Sequence, residues 1–281
     1  MNTISKRGDI MCRWLAYSGT PIFLSRLLFE PENSLIDQSL HARESISTTN
    51  GDGFGIGWYD ARPHPVVFRD VLPAWNDENL HALSEQIRSG LFLAHVRAST
   101  GTSTARQNCH PFRHGPWLFM HNGQIGGYGA IRRHLEMLID PSLYRHRTGT
   151  TDSEAMFYLA LSLGLDGDAM GALARMVGQV ENLMADAGET APLRISLVVS
   201  DGGRLIALRY SSDRRSPSMY LGLGGAALAE AGLNGAADGQ DILVLSEPLD
   251  DVGGNWRKVS EGNILVAERG VVETRPFTPA R

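Results

Sequence analysis

Short apolar runs separated by tight-turn signals constrain this chain more than any other feature. Trp14–Tyr17, Phe54–Tyr59, Val66–Asp70, Leu91–Val96 and Trp117–His121 have the length and character of strands. So do Ile195–Ser200, Leu205–Tyr210, Met219–Leu223, Ile242–Leu245, Ile264–Ala267 and Val271–Thr274. Asp201-Gly202-Gly203 and Arg269-Gly270 read as hairpin turns, and strands joined by hairpins pair antiparallel. Helical patterns at Leu35–His41, Asn79–Arg88, Tyr128–Leu138, Glu154–Leu163 and Ala169–Ala187 gather towards the middle of the sequence. The sum predicts an α+β fold, helices packed on mostly antiparallel sheets, within one domain. The nearest thing to a seam is the stretch Gly164–Asp168.

Composition narrows the function classes. The chain has 281 residues, 42% hydrophobic and 20% charged, enough for a proper core. With 26 Lys and Arg against 31 Asp and Glu, the net charge of −5 argues against a nucleic-acid partner. No apolar run approaches the roughly 18–20 residues that cross a bilayer, so no membrane partner is expected. The opening MNTISKRGDI lacks the apolar segment of a secretory signal, and a cytoplasmic location is expected. Cys12 and Cys109 are too few for a disulfide framework, so each thiol matters singly. The spacing of Cys109, His110, His114 and His121 fits no common zinc pattern, and neither a metal nor a cofactor is expected.

Several segments carry chemistry. Met11-Cys12 looks like a translation start followed by a small residue. If Met11 were removed, Cys12 would own a free α-amino group with a pKa near 7.7–8.0, a base for its thiol at neutral pH. An ordinary buried cysteine fits the same position. Arg97 ends the apolar run Leu91–Val96 and could hold a carboxylate bidentately, or form a surface ion pair. Asn122-Gly123 offers a side-chain amide and a backbone N–H to a developing oxyanion, yet Asn-Gly is also a favoured hairpin turn. Thr151 and Glu154 have capping-box spacing, which leaves Asp152 in the first helical turn for a substrate ammonium. The glycines of Asn50–Trp58 lack dinucleotide-loop spacing and continue as a strand, so they mark a close approach of another backbone or a ligand.

Taken in order, these segments resemble the class II, N-terminal-nucleophile glutamine amidotransferases. The resemblance rests on Met-Cys-Arg at 11–13, Asn-Gly-Asp-Gly-Phe-Gly at 50–55 and His-Val-Arg-Ala-Ser-Thr at 95–100. It continues through Asn-Cys-His-Pro-Phe at 108–112, His-Asn-Gly-Gln-Ile at 121–125 and Thr-Asp-Ser-Glu at 151–154. It implies a four-layer αββα sandwich. It further implies that Cys12 is the nucleophile, that Asn122 and the Gly123 N–H form the oxyanion hole, and that Arg97 and Asp152 bind the α-carboxylate and α-ammonium of a glutamyl substrate. Thr100 is a second candidate for the carboxylate. Residues 1–11 are then a leader or a misassigned start, with 12–281 a single amidotransferase domain of the stand-alone branch that includes the γ-glutamyl hydrolase of ergothioneine biosynthesis.

The expected reaction is hydrolysis of the glutamine γ-amide through a γ-glutamyl thioester, releasing ammonia to a separate synthase partner. A free-standing amidase acting on a larger γ-glutamyl conjugate is the alternative within the family. Outside it stand a non-catalytic glutamate-binding protein and a papain-like peptidase using Cys12 with a distant histidine.

Overall fold

Side chains on a strand point alternately to opposite faces, and here each face of each sheet meets a different core. Along β1 (Arg13–Phe23), Trp14 and Ala16 enter one cluster of buried side chains while Leu15 and Tyr17 enter another. The computed structural model describes residues 12–41, 49–98, 103–223, 241–252 and 254–280. Residues 1–11 and Thr100 lie outside these.

Two sheets organise the chain, and every strand pair among the described residues is antiparallel. In the first, β1 is central. It is flanked on one side by β10 (Ile242–Leu245), β9 (Tyr220–Leu223) and β11 (Trp256–Lys258). On its other side lie β4 (Arg88–Val96), β2 (Phe54–Trp58) and β3 (Val66–Asp70). The second sheet runs in the order β13 (Val271–Pro276), β12 (Asn263–Glu268), β8 (Arg204–Ser211), β7 (Leu193–Ser200), β6 (Trp117–Ile125) and β5 (Phe112–His114).

Three cores separate four layers. Leu93 and Val244 of the first sheet meet Leu118, Met120 and Val198 of the second in an apolar inter-sheet layer. The outer face of the first sheet, with Phe92 and Leu243, is covered by α1 (Ser25–Leu28), α2 (Leu35–Leu40) and α3 (Glu78–Ser84). The outer face of the second, with Phe119 and Leu197, is covered by α4 (Tyr128–Met137), α5 (Pro141–Tyr144), α6 (Asp152–Ser162) and α7 (Ala169–Asp186). The fold is the expected αββα sandwich. Among the described residues no helix is long and apolar enough to cross a membrane.

The elements depart from the sequence pattern in a few places. Helices are not confined to the middle of the chain, because α1–α3 cover the first sheet. The pattern Asn79–Arg88 stops at Ser84; the Gln86 and Ile87 N–H groups fold back on Leu83 O, and Arg88 already opens β4. β5, β11, α1 and α5 have only three or four residues, too short for a periodicity to register. At Arg269-Gly270 the two turn residues have φ of 51° and 77°, as a two-residue hairpin between β12 and β13 requires.

Candidate active site

Cys12 stands just before β1, where its thiol meets the end of β4. The Ala98 N–H donates to Cys12 Sγ at 3.2 Å, and Sγ lies 3.4 Å from Ala98 O. The Cys12 carbonyl is held from two sides, by Asn122 Nδ2 at 2.5 Å and by Arg13 Nη1 at 3.1 Å. Arg13 is in turn paired with Glu247 at 2.8 Å, both side chains being almost wholly buried. Burial pushes the Cys12 thiol pKa up, against the Ala98 N–H and the nearby Arg97 and Arg13 charges. A thiol in that state is protonated at neutral pH and needs a base before it can attack.

Asn122 and Gly123 lie within β6, paired with Ser196 and Ile195 of β7. The hairpin-turn reading of this dipeptide is therefore wrong: the chain runs straight through it to Ile125. Glycine is nevertheless required at 123. Its φ is +135°, and a Cβ there would fall 2.0 Å from Arg194 O. The Asn122 amide oxygen faces His95 Nε2 at 3.1 Å. With one Nδ2 hydrogen on Cys12 O, the second remains for another acceptor.

Arg97 is buried immediately before Ala98. Its N–H donates to Gly53 O at 2.8 Å and its Nη1 to Asp52 O at 3.3 Å, which ties it to the glycine-rich segment ahead of β2. An exposed ion pair, the other reading of Arg97, does not fit a side chain at this depth. Those glycines behave as the sequence suggests. A Cβ at Gly55 would lie 2.2 Å from His110 O, so the segment carrying Cys109 and His110 packs directly on β2.

Asp152 opens α6 and reaches the end of β6. Its Oδ2 accepts the Ile125 N–H at 2.9 Å, and its Oδ1 accepts from Ser153 N at 2.7 Å. Thr151 caps the helix by accepting the Glu154 N–H at 3.1 Å. The reciprocal half of the capping box is absent. Glu154 instead accepts from the N–H groups of Thr148 and Gly149 and pairs with Arg147 at 3.5 Å, because the chain before the helix folds over its carboxylate.

The structure thus brings Cys12, Arg97, Asn122 and Gly123 to one place, with Asp152 at the adjoining end of β6. Thr100 is outside the described residues. Sequence reasoning passed over His95, whose position two residues beyond Leu93 on β4 puts it on the same inter-sheet face. It also passed over the Ala98 N–H, which no side-chain pattern could reveal. Among the described residues no group of three His, Cys, Asp or Glu side chains could hold a metal ion. His110 packs on His95 with ring centroids 4.4 Å apart, His114 on His146 at 5.2 Å, and His121 bonds Ser153 Oγ at 2.9 Å.

Similarity to known proteins identifies the family. The family model for class II glutamine amidotransferases matches residues 31–280, a span that begins after Cys12. A Saccharomyces cerevisiae protein named as a probable glutamine amidotransferase, DUG3, is 32% identical over 95% of this chain and 84% of its own length. The γ-glutamyl-hercynylcysteine sulfoxide hydrolase of Mycolicibacterium smegmatis is 30% identical over 94% of this chain and 99% of its own. Among solved structures, a glutamine aminotransferase class-II domain protein from Silicibacter pomeroyi superposes with a TM-score of 0.74 at 40% identity, covering 96% of this chain and 100% of that one. The glutamine phosphoribosylpyrophosphate amidotransferase of B. subtilis shares the fold, with a TM-score of 0.62 at 15% identity over 50% of its chain. The chain is an enzyme of the class II glutamine amidotransferase family.

Proposed function

We propose that this chain hydrolyses the γ-amide of glutamine, with Cys12 as nucleophile in a form of the protein that begins at that residue. The observation that carries the reading is the direct bond between Asn122 Nδ2 and the Cys12 carbonyl, which sets an amide donor beside the thiol. Cys12 Sγ attacks the γ-carbonyl carbon while the thiol proton passes to the residue's own α-amine. The oxyanion is met by the second Asn122 Nδ2 hydrogen and the Gly123 N–H. The intermediate collapses as the amide nitrogen takes the proton and leaves as ammonia. Water then splits the γ-glutamyl thioester to glutamate and restores the thiol. Arg97 holds the substrate α-carboxylate, with Thr100 as a further candidate, and Asp152 receives the α-ammonium. A carboxylate has about four acceptor positions, so the backbone N–H groups on Asp152 leave room for that contact. With Met11 still attached, Cys12 has an amide nitrogen, which cannot act as a base.

A second substrate is favoured by one finding. A relative named for a larger γ-glutamyl conjugate is nearly as similar as the one named a glutamine amidotransferase. The deciding experiment offers glutamine and a γ-glutamyl cysteine sulfoxide conjugate to a chain beginning at Cys12, with Cys12→Ala as control. Preference for glutamine supports an ammonia supplier with a separate cytoplasmic synthase as acceptor. Preference for the conjugate makes the protein a self-sufficient amidase. Glutamate binding without turnover would leave a binding protein.

A further inference from the structure

The Cys12 carbonyl fixes more than the residue that touches it. A carbonyl can only accept, so the Asn122 atom facing it is Nδ2, and the atom facing His95 is therefore Oδ1. An acceptor at 3.1 Å from His95 Nε2 requires the ring proton on that nitrogen. The other tautomer would set two lone pairs against each other. Burial keeps the ring neutral, with its pKa pulled down to about 3 and the nearby Arg97 and His121 charges acting in the same direction. His110 covers the ring with centroids 4.4 Å apart at an interplanar angle of 38°, and its own pKa is held well below the usual histidine range. His95 Nδ1 and both His110 ring nitrogens are buried and have no hydrogen-bond partner among the described residues. The imidazole's hydrogen bond to a side chain is the one to Asn122, and this bond together with the His121 backbone opposes the effect of burial on the ring.

We propose that His95 is a positioning residue, a neutral imidazole with its proton on Nε2 that locks the Asn122 amide so that its free Nδ2 hydrogen faces the reacting carbonyl. This rests on the oxyanion role proposed above for Asn122. Without a donor at position 95 the Cys12 carbonyl alone opposes turning the amide over, which would present Oδ1 where negative charge develops. The loss would fall on the transition state and leave ground-state binding largely intact.

The test joins a spectroscopic measurement to two variants. Nitrogen NMR on the full chain labelled at histidine should find His95 neutral with its proton on Nε2 from pH 5 to pH 8. A proton on Nδ1, or a charged ring at pH 7, overturns the proposal. In the glutamate-releasing assay, His95→Leu should lower kcat about 10- to 100-fold with KM within about twofold, below the 10²–10³-fold typical of deleting an oxyanion donor. His95→Gln, whose amide nitrogen reaches the Nε2 position, should recover most of that loss. Wild-type kcat in His95→Leu, or a Gln variant as poor as the Leu variant, also overturns it. The spectroscopic result needs no turnover and decides the matter if His95→Leu fails to fold. Failure of the functional reading is separate: there the wild type and Cys12→Ala would release glutamate equally.

Discussion

Asn122 Nδ2 donates to the carbonyl of Cys12 across 110 residues of sequence, joining the second sheet to the first at the residue whose thiol is proposed to attack. A bond that spans the two layers couples the position of the nucleophile to that of the oxyanion donor.

Replacing Asn122 with Ala should therefore reduce kcat about 10²–10³-fold, the typical cost of one oxyanion donor. Steady-state glutamate release measures it. An unchanged kcat would remove Asn122 from the chemistry.

The α-amine of Cys12 must be neutral to take the thiol proton. In a chain beginning at Cys12, kcat/KM should rise with pH through about 7.7–8.0, the range of an α-amino group. A rate profile from pH 6 to pH 9 that is flat would exclude the amine as base.

Glu247→Ala would leave Arg13 charged at a site where both partners are 1–2% exposed. Breaking a buried pair from one side typically costs about 3–5 kcal/mol. Arg13 also holds the Cys12 carbonyl, so activity should fall together with stability. Urea unfolding and glutamate release on the same preparation test both halves.

At Gly55 an added methyl group would meet the backbone of His110 at 2.2 Å, and backbone gives way poorly. Gly55→Ala should cost about 1–3 kcal/mol and shift the His110 segment away from β2. Thermal unfolding gives the first quantity.

His95, His110 and His121 are buried, and burial lowers the pKa of each. Below pH 6.5 the unfolded chain binds protons that the folded chain refuses, so stability is present at neutral pH and declines as pH falls. For His95 the window runs from about 6.5 down to about 3, at about 1.4 kcal/mol per pH unit. Urea unfolding at pH 5 and pH 6 should show a shallower slope in His95→Gln than in the wild type. Equal slopes would mean that His95 takes up its proton in the folded state.

Local pattern in the sequence determined the strands, the long helices and the class of fold. Those follow from side-chain alternation, apolar spacing and turn chemistry within a few residues. The same alternation places Leu91, Leu93 and His95 on one face of β4, and Leu118, Met120 and Asn122 on one face of β6. It does not say that the two faces meet. Packing of the sheets decided that His95 reads Asn122, that Asn122 reads Cys12, and that Asn122-Gly123 is strand rather than turn. Turn propensity at Asn-Gly is worth little against a full ladder with β7, and Gly123 accepts the positive φ found at that position. The close seat of His110 on Gly55 is likewise a contact between distant segments, announced by the glycine but identified only where the second backbone arrives.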